Sequence, residues 1–149
     1  MNIYSRLEKD HETQRELCTK IEGSKPGSDE RSELWAKLKV ELEAHAAAEE
    51  QVFYSALMQK PDGTEEARHS VHEHQEMSKL IAELDAMDQS ADIWDKKFKK
   101  LSHDVNHHVD EEEADIFPEA KALISDDAAK EMVEDFNARK PAEAEKHAA

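Results

Sequence analysis

The chain has 149 residues, enough for one domain with a hydrophobic core and too few to expect two. It holds only three Gly and four Pro, and aromatic residues make up 5% of it, a composition typical of helical proteins rather than sheet proteins. Its net charge of -16 argues against nucleic acid and anionic membrane surfaces as partners, because both are bound through basic surfaces.

The breakers along the chain separate long segments with helical patterns. The loop 23–27, the turn Pro61-Asp62-Gly63 and the polar interval 88–90 leave four such segments in residues 1–124. Apolar residues recur in each segment at spacings of three and four, as in an amphipathic helix. We therefore predict an all-α, up-down-up-down antiparallel four-helix bundle over residues 1–124. The predicted inward faces are, in chain order, Ile3, Leu7, His11, Gln14, Cys18 and Ile21; Leu34, Leu38, Leu42, His45, Glu49, Val52 and Ala56; Ala67, Val71, His74, Met77, Ile81 and Leu84; and Trp94, Phe98, Leu101, Val105, His108, Glu112 and Ile116.

The remaining residues, 125–149, contain a weaker helical pattern. Ser125 is a good N-cap, and Met132, Val133 and Phe136 follow at helical spacing. We predict a short fifth helix here. Beyond about Lys140 the Ala/Glu/Lys tail has no apolar face, and we predict that it is disordered.

The single cysteine and the start of the chain indicate where in the cell the protein is located. Cys18 has no partner for an internal disulfide, and no basic-then-apolar leader or long apolar run is present. These features predict a cytoplasmic protein with no membrane association. Cys18 itself is predicted to be a small buried hydrophobic residue.

Nine histidines is the unusual count in this composition, and four of them lie on the inward faces. Two glutamates lie there as well, although a buried carboxylate needs a counter-charge or a hydrogen-bond donor. Imidazole nitrogen and carboxylate oxygen both suit iron, so a di-iron site would satisfy the whole set. The predicted metal ligands are His11, His45, Glu49, His74, His108 and Glu112.

The spacing of these residues reveals an internal repeat. His45 and Glu49 form an H-x-x-x-E pair, as do His108 and Glu112, which places each pair on one helix face. The differences 74 minus 11, 108 minus 45 and 112 minus 49 all equal 63. The chain therefore looks like two helical hairpins related by a pseudo-two-fold axis, and such symmetry suits two metal ions. Residues next to these positions repeat at the same shift of 63. Asp10 matches Glu73, Glu50 matches Glu113, and Phe53-Tyr54 matches Ile116-Phe117.

This ordered set of motifs, closed by Phe117-Pro118, resembles the hemerythrin HHE cation-binding domain over roughly residues 1–124. The resemblance implies a non-haem di-iron centre, oxo- or hydroxo-bridged, in a four-helix bundle. It also implies roles for the six residues. His11 and His45 would bind one iron, His74 and His108 would bind the other, and Glu49 and Glu112 would bridge them.

The third helix departs from the pattern of respiratory hemerythrins, which have two histidines one turn apart there. In this chain Ser70 and Ser78 flank His74 at that spacing. With fewer histidine ligands, each iron would keep an exchangeable coordination position. We therefore expect the protein to bind, sense or reduce O2 or peroxide, or NO, rather than to store oxygen. Binding or sensing is preferred, and a catalase-like or NO-reactive turnover is left open.

Three alternatives compete with this interpretation. A ferritin-like di-iron protein needs Glu-x-x-His on two helices, whereas Glu66-x-x-His69 occurs once and off the inward face. A metal-free structural or interaction bundle leaves the inward Glu49 and Glu112 unexplained. An iron-handling or oxidative-stress protein without turnover agrees with the same ligand set and stays open.

The other histidines and acids near the motifs have simpler interpretations. His69, His72, His103, His107 and His147 are off the inward faces and are predicted to be solvated, as are the charge runs around Glu50, Glu111 and Glu113. Glu50 or Glu113 could also orient a ligand histidine. Tyr54, Trp35 and Trp94 are predicted to be core aromatics. The resulting expectation is that Glu49→Ala or Glu112→Ala loses iron and that Glu50→Ala or Glu111→Ala does not.

Overall fold

The structure, a computed structural model, describes residues 1–148, and all its regular elements are helical. The α-helices are α1 Ile3–Glu22, α2 Asp29–Glu49, α3 Ser55–Met58, α4 Thr64–Asp85, α5 Asp92–Glu111, α6 Phe117–Leu123 and α7 Asp126–His147. Two π-helical turns, Glu50–Tyr54 and Glu112–Ile116, join α2 to α3 and α5 to α6, and a 3-10 turn spans Pro61–Gly63. The prediction of an all-helical bundle with an added C-terminal helix is confirmed.

Side-chain caps begin three of the helices. Asn2 and Ser5 bond each other's backbone at the start of α1, forming a capping box. Ser28 and Ser125 each accept a hydrogen bond from the backbone N–H of the third residue of α2 and of α7. The helix predicted to begin at Ser125 therefore begins there.

The core consists of two apolar clusters with a polar layer between them. On α1, His11 lies between Leu7 of the first cluster and Cys18 of the second. His45 on α2, His74 on α4 and His108 on α5 likewise lie between members of the two clusters along the chain. Cys18 is 1% exposed, and burial raises the pKa of its thiol to about 11, as expected for an inert core residue. The largest members of the first cluster are Tyr4, Phe53, Tyr54, Phe117 and Phe136, and those of the second are Trp35, Trp94 and Phe98.

The π-helical turn Glu50–Tyr54 changes which residues face inward after the candidate metal-binding pair His45 and Glu49. A π-helical turn contains an extra residue, so the buried face advances by one position after it. The α-helical pattern predicts Val52 and Ala56 inside, whereas both are only partly buried. Phe53, Tyr54 and Leu57 are buried instead.

Helix α7 is longer than the sequence predicts, because it continues through Pro141 to His147. Ala129, Met132 and Phe136 bury its first half against the bundle, as the apolar pattern indicates. Its second half is held by polar contacts. Lys140 Nζ lies 2.9 Å from Asp10 Oδ2 and 2.7 Å from Glu41 Oε1. Glu143, which is 5% exposed, accepts a hydrogen bond from Gln51 Nε2 at 3.0 Å. Within residues 1–148, none of the helices combines the length and the apolar character needed to cross a membrane.

Candidate metal centre

The six predicted ligand side chains meet in the polar layer at the middle of the bundle. Helix α1 supplies His11, the end of α2 supplies His45 and Glu49, and α4 supplies His74. The remaining two, His108 and Glu112, come from the end of α5 and the π-helical turn after it. None of the six residues is more than 5% exposed.

Each buried glutamate reaches one histidine from each hairpin. Glu49 Oε2 lies 3.5 Å from His45 Nε2, and Glu49 Oε1 lies 3.2 Å from His74 Nε2. Glu112 Oε1 lies 2.9 Å from His11 Nε2, and Glu112 Oε2 lies 3.6 Å from His108 Nε2. Both carboxylates therefore span the two hairpins, and the contacts follow the pseudo-two-fold relation.

Two outer carboxylates hold histidines across the hairpins. His11 Nδ1 lies 2.6 Å from Glu113 Oε2, and His74 Nδ1 lies 2.8 Å from Glu50 Oε2. Glu50 and Glu113 are the pair related by the 63-residue shift, so both contacts belong to the repeat. These two acids therefore orient histidines and are not simply part of a solvated surface, as the charge runs predicted. The expectation that Glu50→Ala leaves metal binding unchanged is replaced by one of weakened binding.

A second pair of outer carboxylates, Asp10 and Glu73, has a role that the sequence did not predict. His45 Nδ1 lies 2.8 Å from Asp10 Oδ2, and His108 Nδ1 lies 2.8 Å from Glu73 Oε1. Burial opposes ionisation of both acids, but their histidine partners lower the pKa of each carboxyl. The sequence feature that could have indicated this role is the acidic residue directly before His11 and directly before His74. Because each acid contacts a histidine on the neighbouring helix, its role depends on the packing of two helices.

The outer contacts determine how the imidazoles face the centre. An ionised carboxylate can only accept, so the Nδ1–H of each imidazole is the donor. In a neutral imidazole this leaves a lone pair on Nε2, the arrangement that metal-binding histidines use. His74 Nε2 and His108 Nε2 lie only 3.1 Å apart, so two such lone pairs would face each other. A cation or a proton is needed between them.

Several inner atoms have no hydrogen bond to satisfy them. His11 Nε2, both carboxylate oxygens of Glu49 and Glu112 Oε1 are buried without a hydrogen-bond partner among residues 1–148. The histidine and glutamate atoms that face them lie 2.9–3.5 Å away. Leaving such a group unsatisfied costs about 1–3 kcal/mol. A bound cation would satisfy all of them, so the residues present fit a metal.

The donor atoms form two groups that could each hold an ion. Within each group all the donor atoms lie within 4.8 Å of one another, and Glu49 belongs to both groups. The centre therefore offers two adjacent groups of donors that share one carboxylate. The first group is His11, His45, Glu49 and Glu112, and the second is Glu49, His74 and His108.

The charges of the centre favour bound protons when no metal is present. Burial by itself lowers the pKa of His45, but Glu49 and Asp10 outweigh it and raise the pKa to about 10. The pKa of His74 rises to about 9, because Glu49 and Glu50 outweigh the effect of burial. Burial raises the pKa of Glu49, but His45 and His74 hold it well below its usual range. A metal ion would therefore have to displace protons from the histidines.

Tyr54 breaks the symmetry of the centre. Its hydroxyl donates a short hydrogen bond to Glu112 Oε2, and it is fully buried. Burial and the charge of Glu112 raise its pKa well above the usual value, so the phenol stays protonated. The repeat-equivalent residue is Phe117, which has no hydroxyl. Tyr54 lies in the core as predicted, but its hydrogen bond depends on the helix packing.

A narrow cavity adjoins three of the histidines, His45, His74 and His108. Its volume is about 20 Å³, enough for about one water-sized molecule. Apolar side chains form most of its wall. They are Leu42, Ala46, Met77, Ile81, Val105 and Val109.

The histidines predicted to be solvated lie away from this centre. His69, His72, His103 and His107 are exposed, and His147 is partly buried near the end of α7. Because His69 is exposed, the Glu66-x-x-His69 motif cannot form a buried ferritin-like site.

Comparison with known proteins agrees with this architecture. A crystal structure of a hemerythrin HHE cation-binding domain-containing protein from Mycobacterium kansasii is 27% identical to the chain. It superposes with a TM-score of 0.85, covering 98% of this chain and 89% of that one. A DNA nickase from Nostoc sp. is 26% identical over 140 residues, which are 94% of this chain. The match covers 39% of the nickase, so this chain spans well under half of that relative.

The family model of the hemerythrin HHE cation-binding domain matches residues 2–120. This range contains all six side chains that meet in the polar layer, and it ends within α6. The chain therefore belongs to the hemerythrin HHE cation-binding domain family.

Proposed function

We propose that the protein holds two non-haem iron ions and uses them to bind, sense or reduce O2 or peroxide, or NO. The observation that carries this proposal is the position of Glu49 and Glu112. Each carboxylate lies between a histidine of the first hairpin and a histidine of the second. Such a carboxylate can bridge two adjacent ions.

The donor set favours iron among the common metals of proteins. Imidazole nitrogen with carboxylate oxygen suits iron, whereas structural zinc sites use cysteine sulfur more often, and the single Cys18 lies outside this layer. His11 and His45 would hold one ion and His74 and His108 the other, with Glu49 and Glu112 shared. Two iron ions would supply one-electron steps between the ferrous and ferric states.

The chain's own residues would control protons and orientation. The four outer carboxylates hold the imidazoles by Nδ1 and keep Nε2 directed inward. Tyr54 donates to Glu112 Oε2 and so holds that carboxylate in place. Its protonated phenol also brings a proton donor into contact with the centre. The repeat-equivalent Phe117 can supply no proton, so the two halves of the centre differ in this respect.

The size of the cavity supports a small ligand. A volume of about 20 Å³, which holds about one water-sized molecule, suits a very small ligand and is too small for an organic substrate. Its apolar wall also suits uncharged molecules, which do not lose strong hydration on entry. We therefore propose a diatomic molecule or peroxide as the ligand.

Of the alternatives, a metal-free bundle fits less well, whereas iron handling fits the same centre. A metal-free structural bundle would leave four buried polar atoms of His11, Glu49 and Glu112 unsatisfied. Iron handling without turnover needs the same centre and differs only in the chemistry after the metal has bound. We do not propose DNA nicking, because a net charge of -16 disfavours contact with phosphate backbones.

An optical experiment tests the proposal. Protein loaded anaerobically with ferrous iron and then exposed to air should gain near-ultraviolet charge-transfer absorption. Dithionite should bleach these bands, and air or peroxide should restore them. Iron analysis should give two ions per chain. A protein that binds no iron, or that stays colourless through this cycle, would contradict the proposal.

The outer carboxylates lead to a graded prediction. Asp10→Asn and Glu113→Gln should each weaken metal binding by about 10–100-fold, the usual effect of losing the partner of a ligand histidine. Competition with a chelator measures the affinity. Glu8→Gln is the matched control, because Glu8 is exposed on the same helix as His11. An equal loss in the control would show that charge alone, rather than orientation, sets the affinity.

A further inference from the structure

Three more H-x-x-x-E pairs lie on the outer surface of the bundle. Besides His72 and Glu76 on α4, there are two pairs on neighbouring helices. His69 and Glu73 are one turn apart on α4, and His107 and Glu111 are one turn apart on α5. On a helix this spacing puts both side chains on one face. The two pairs face each other across neighbouring helices. None of these residues belongs to the proposed ligands of the buried centre.

Their donor atoms converge. His69 Nε2 lies 2.9 Å from Glu111 Oε1 and 3.4 Å from Glu73 Oε1. His107 Nε2 lies 3.3 Å from Glu111 Oε2. One donor atom from each of His69, Glu73 and Glu111 lies within 4.8 Å of the other two. This group includes residues of both α4 and α5, whereas an ordinary i, i+4 pair lies on one helix.

Small ions in solvent can reach this group. The side chains of His69 and His107 are 50% and 62% exposed, and those of Glu73 and Glu111 are 21% and 25% exposed. His69, Glu73 and His107 line an open groove of about 380 Å³. The surface on either side of His69 carries seven other carboxylates and only two lysines, Lys79 and Lys100, so the local field attracts cations. The carboxylates are Glu65, Glu66, Glu76, Glu83, Asp104, Asp115 and Glu119.

We propose that His69, Glu73 and Glu111, with His107 as a fourth donor, form a surface site for a divalent first-row transition metal such as Zn²⁺. Two imidazole nitrogens and two carboxylate oxygens are donors that zinc and ferrous iron both accept. Three or four protein donors leave room for water at the ion. The site is separate from the buried centre, although Glu73 contributes to both.

Glu73 places the surface site directly outside the buried centre. The same atom, Glu73 Oε1, lies 2.8 Å from His108 Nδ1 and 3.4 Å from His69 Nε2. Substituting Glu73 would therefore disturb both sites. The test must use His69 and His107, whose polar contacts are with Glu73 and Glu111.

Zinc titration of the iron-loaded protein, monitored by calorimetry, tests the site. Wild-type protein should bind one more equivalent of Zn²⁺ than the His69→Ala/His107→Ala variant. Each single variant should bind that zinc roughly tenfold more weakly or worse, since even losing an outer partner of a ligand costs that much. The control is His72→Ala/His103→Ala, which removes two exposed histidines from the same two helices. It should bind zinc as wild type does.

Two results would overturn the surface site. One is equal zinc uptake by wild type and the His69→Ala/His107→Ala variant, and the other is an equal loss in the control variant. Circular dichroism checks that the exposed substitutions leave the fold intact. If the buried centre holds zinc instead of iron, it does so in every variant, and the difference of one equivalent remains. Failure of the proposed di-iron function is therefore distinguishable from failure of this site.

Discussion

Glu49→Gln and Glu112→Gln are each expected to lose most of the bound metal, whereas Glu12→Gln keeps the wild-type content. Both glutamates lie between two histidines of different hairpins, so each substitution affects both proposed ions. Glutamine keeps the size of the side chain but removes the negative charge that offsets the cations. The effect should therefore exceed that of Asp10→Asn, which leaves all six inner donors in place.

Elemental analysis after removal of loosely bound metal measures this effect. Glu12 is a suitable control because it comes directly after His11 on α1 but is exposed to solvent. Circular dichroism should show that the three variants remain helical. If Glu49→Gln and Glu112→Gln both retain two ions, neither carboxylate bridges, and the proposed centre is wrong.

The metal-free protein is expected to lose stability as the pH rises from about 6.5 to 10. The pKa of His45 rises from 6.5 in the unfolded chain to about 10 in the folded one, and that of His74 rises to about 9. A raised pKa means that the folded state binds the proton more tightly. The stabilisation is therefore complete below pH 6.5 and disappears as each histidine deprotonates. We expect a loss on the order of a few kcal/mol.

The buried acids affect the opposite end of the pH range. The pKa of Glu49 and that of Asp10 are lowered in the folded state, so their stabilisation exists above the ordinary values of 4.5 and 3.8. It disappears as the pH falls below these values. Maximum stability of the metal-free protein should therefore lie between about pH 4.5 and 6.5.

Urea unfolding at several pH values measures this dependence. The metal-loaded protein should lack the alkaline loss, because its histidines are already deprotonated by the metal. Metal uptake near pH 7 should accordingly release protons. His45→Gln should reduce the alkaline loss, whereas His103→Gln, at an exposed position, should not. A metal-free stability that is flat or rising from pH 6.5 to 9 would contradict the proposed protonation.

The sequence alone determined the architecture and the six converging residues. The apolar spacing predicts which faces are buried, because a 3.6-residue period places every third or fourth side chain together. The 63-residue shift relates His11 to His74 without any information on interatomic distances. Both inferences work because each depends only on the local geometry of one helix or on the repetition of a motif.

The tertiary structure decided which side chains act together across helices. The contacts of His45 with Asp10 and of Tyr54 with Glu112 join residues distant in sequence, so no local pattern reveals them. The π-helical turn Glu50–Tyr54 altered the inward face after Glu49, because its extra residue breaks the strict 3.6-residue period. Helix α7 continues past Lys140 because polar partners on α1 and α2 hold it. Such partners exist only once the helices have packed, which is why an apolar pattern could not predict them.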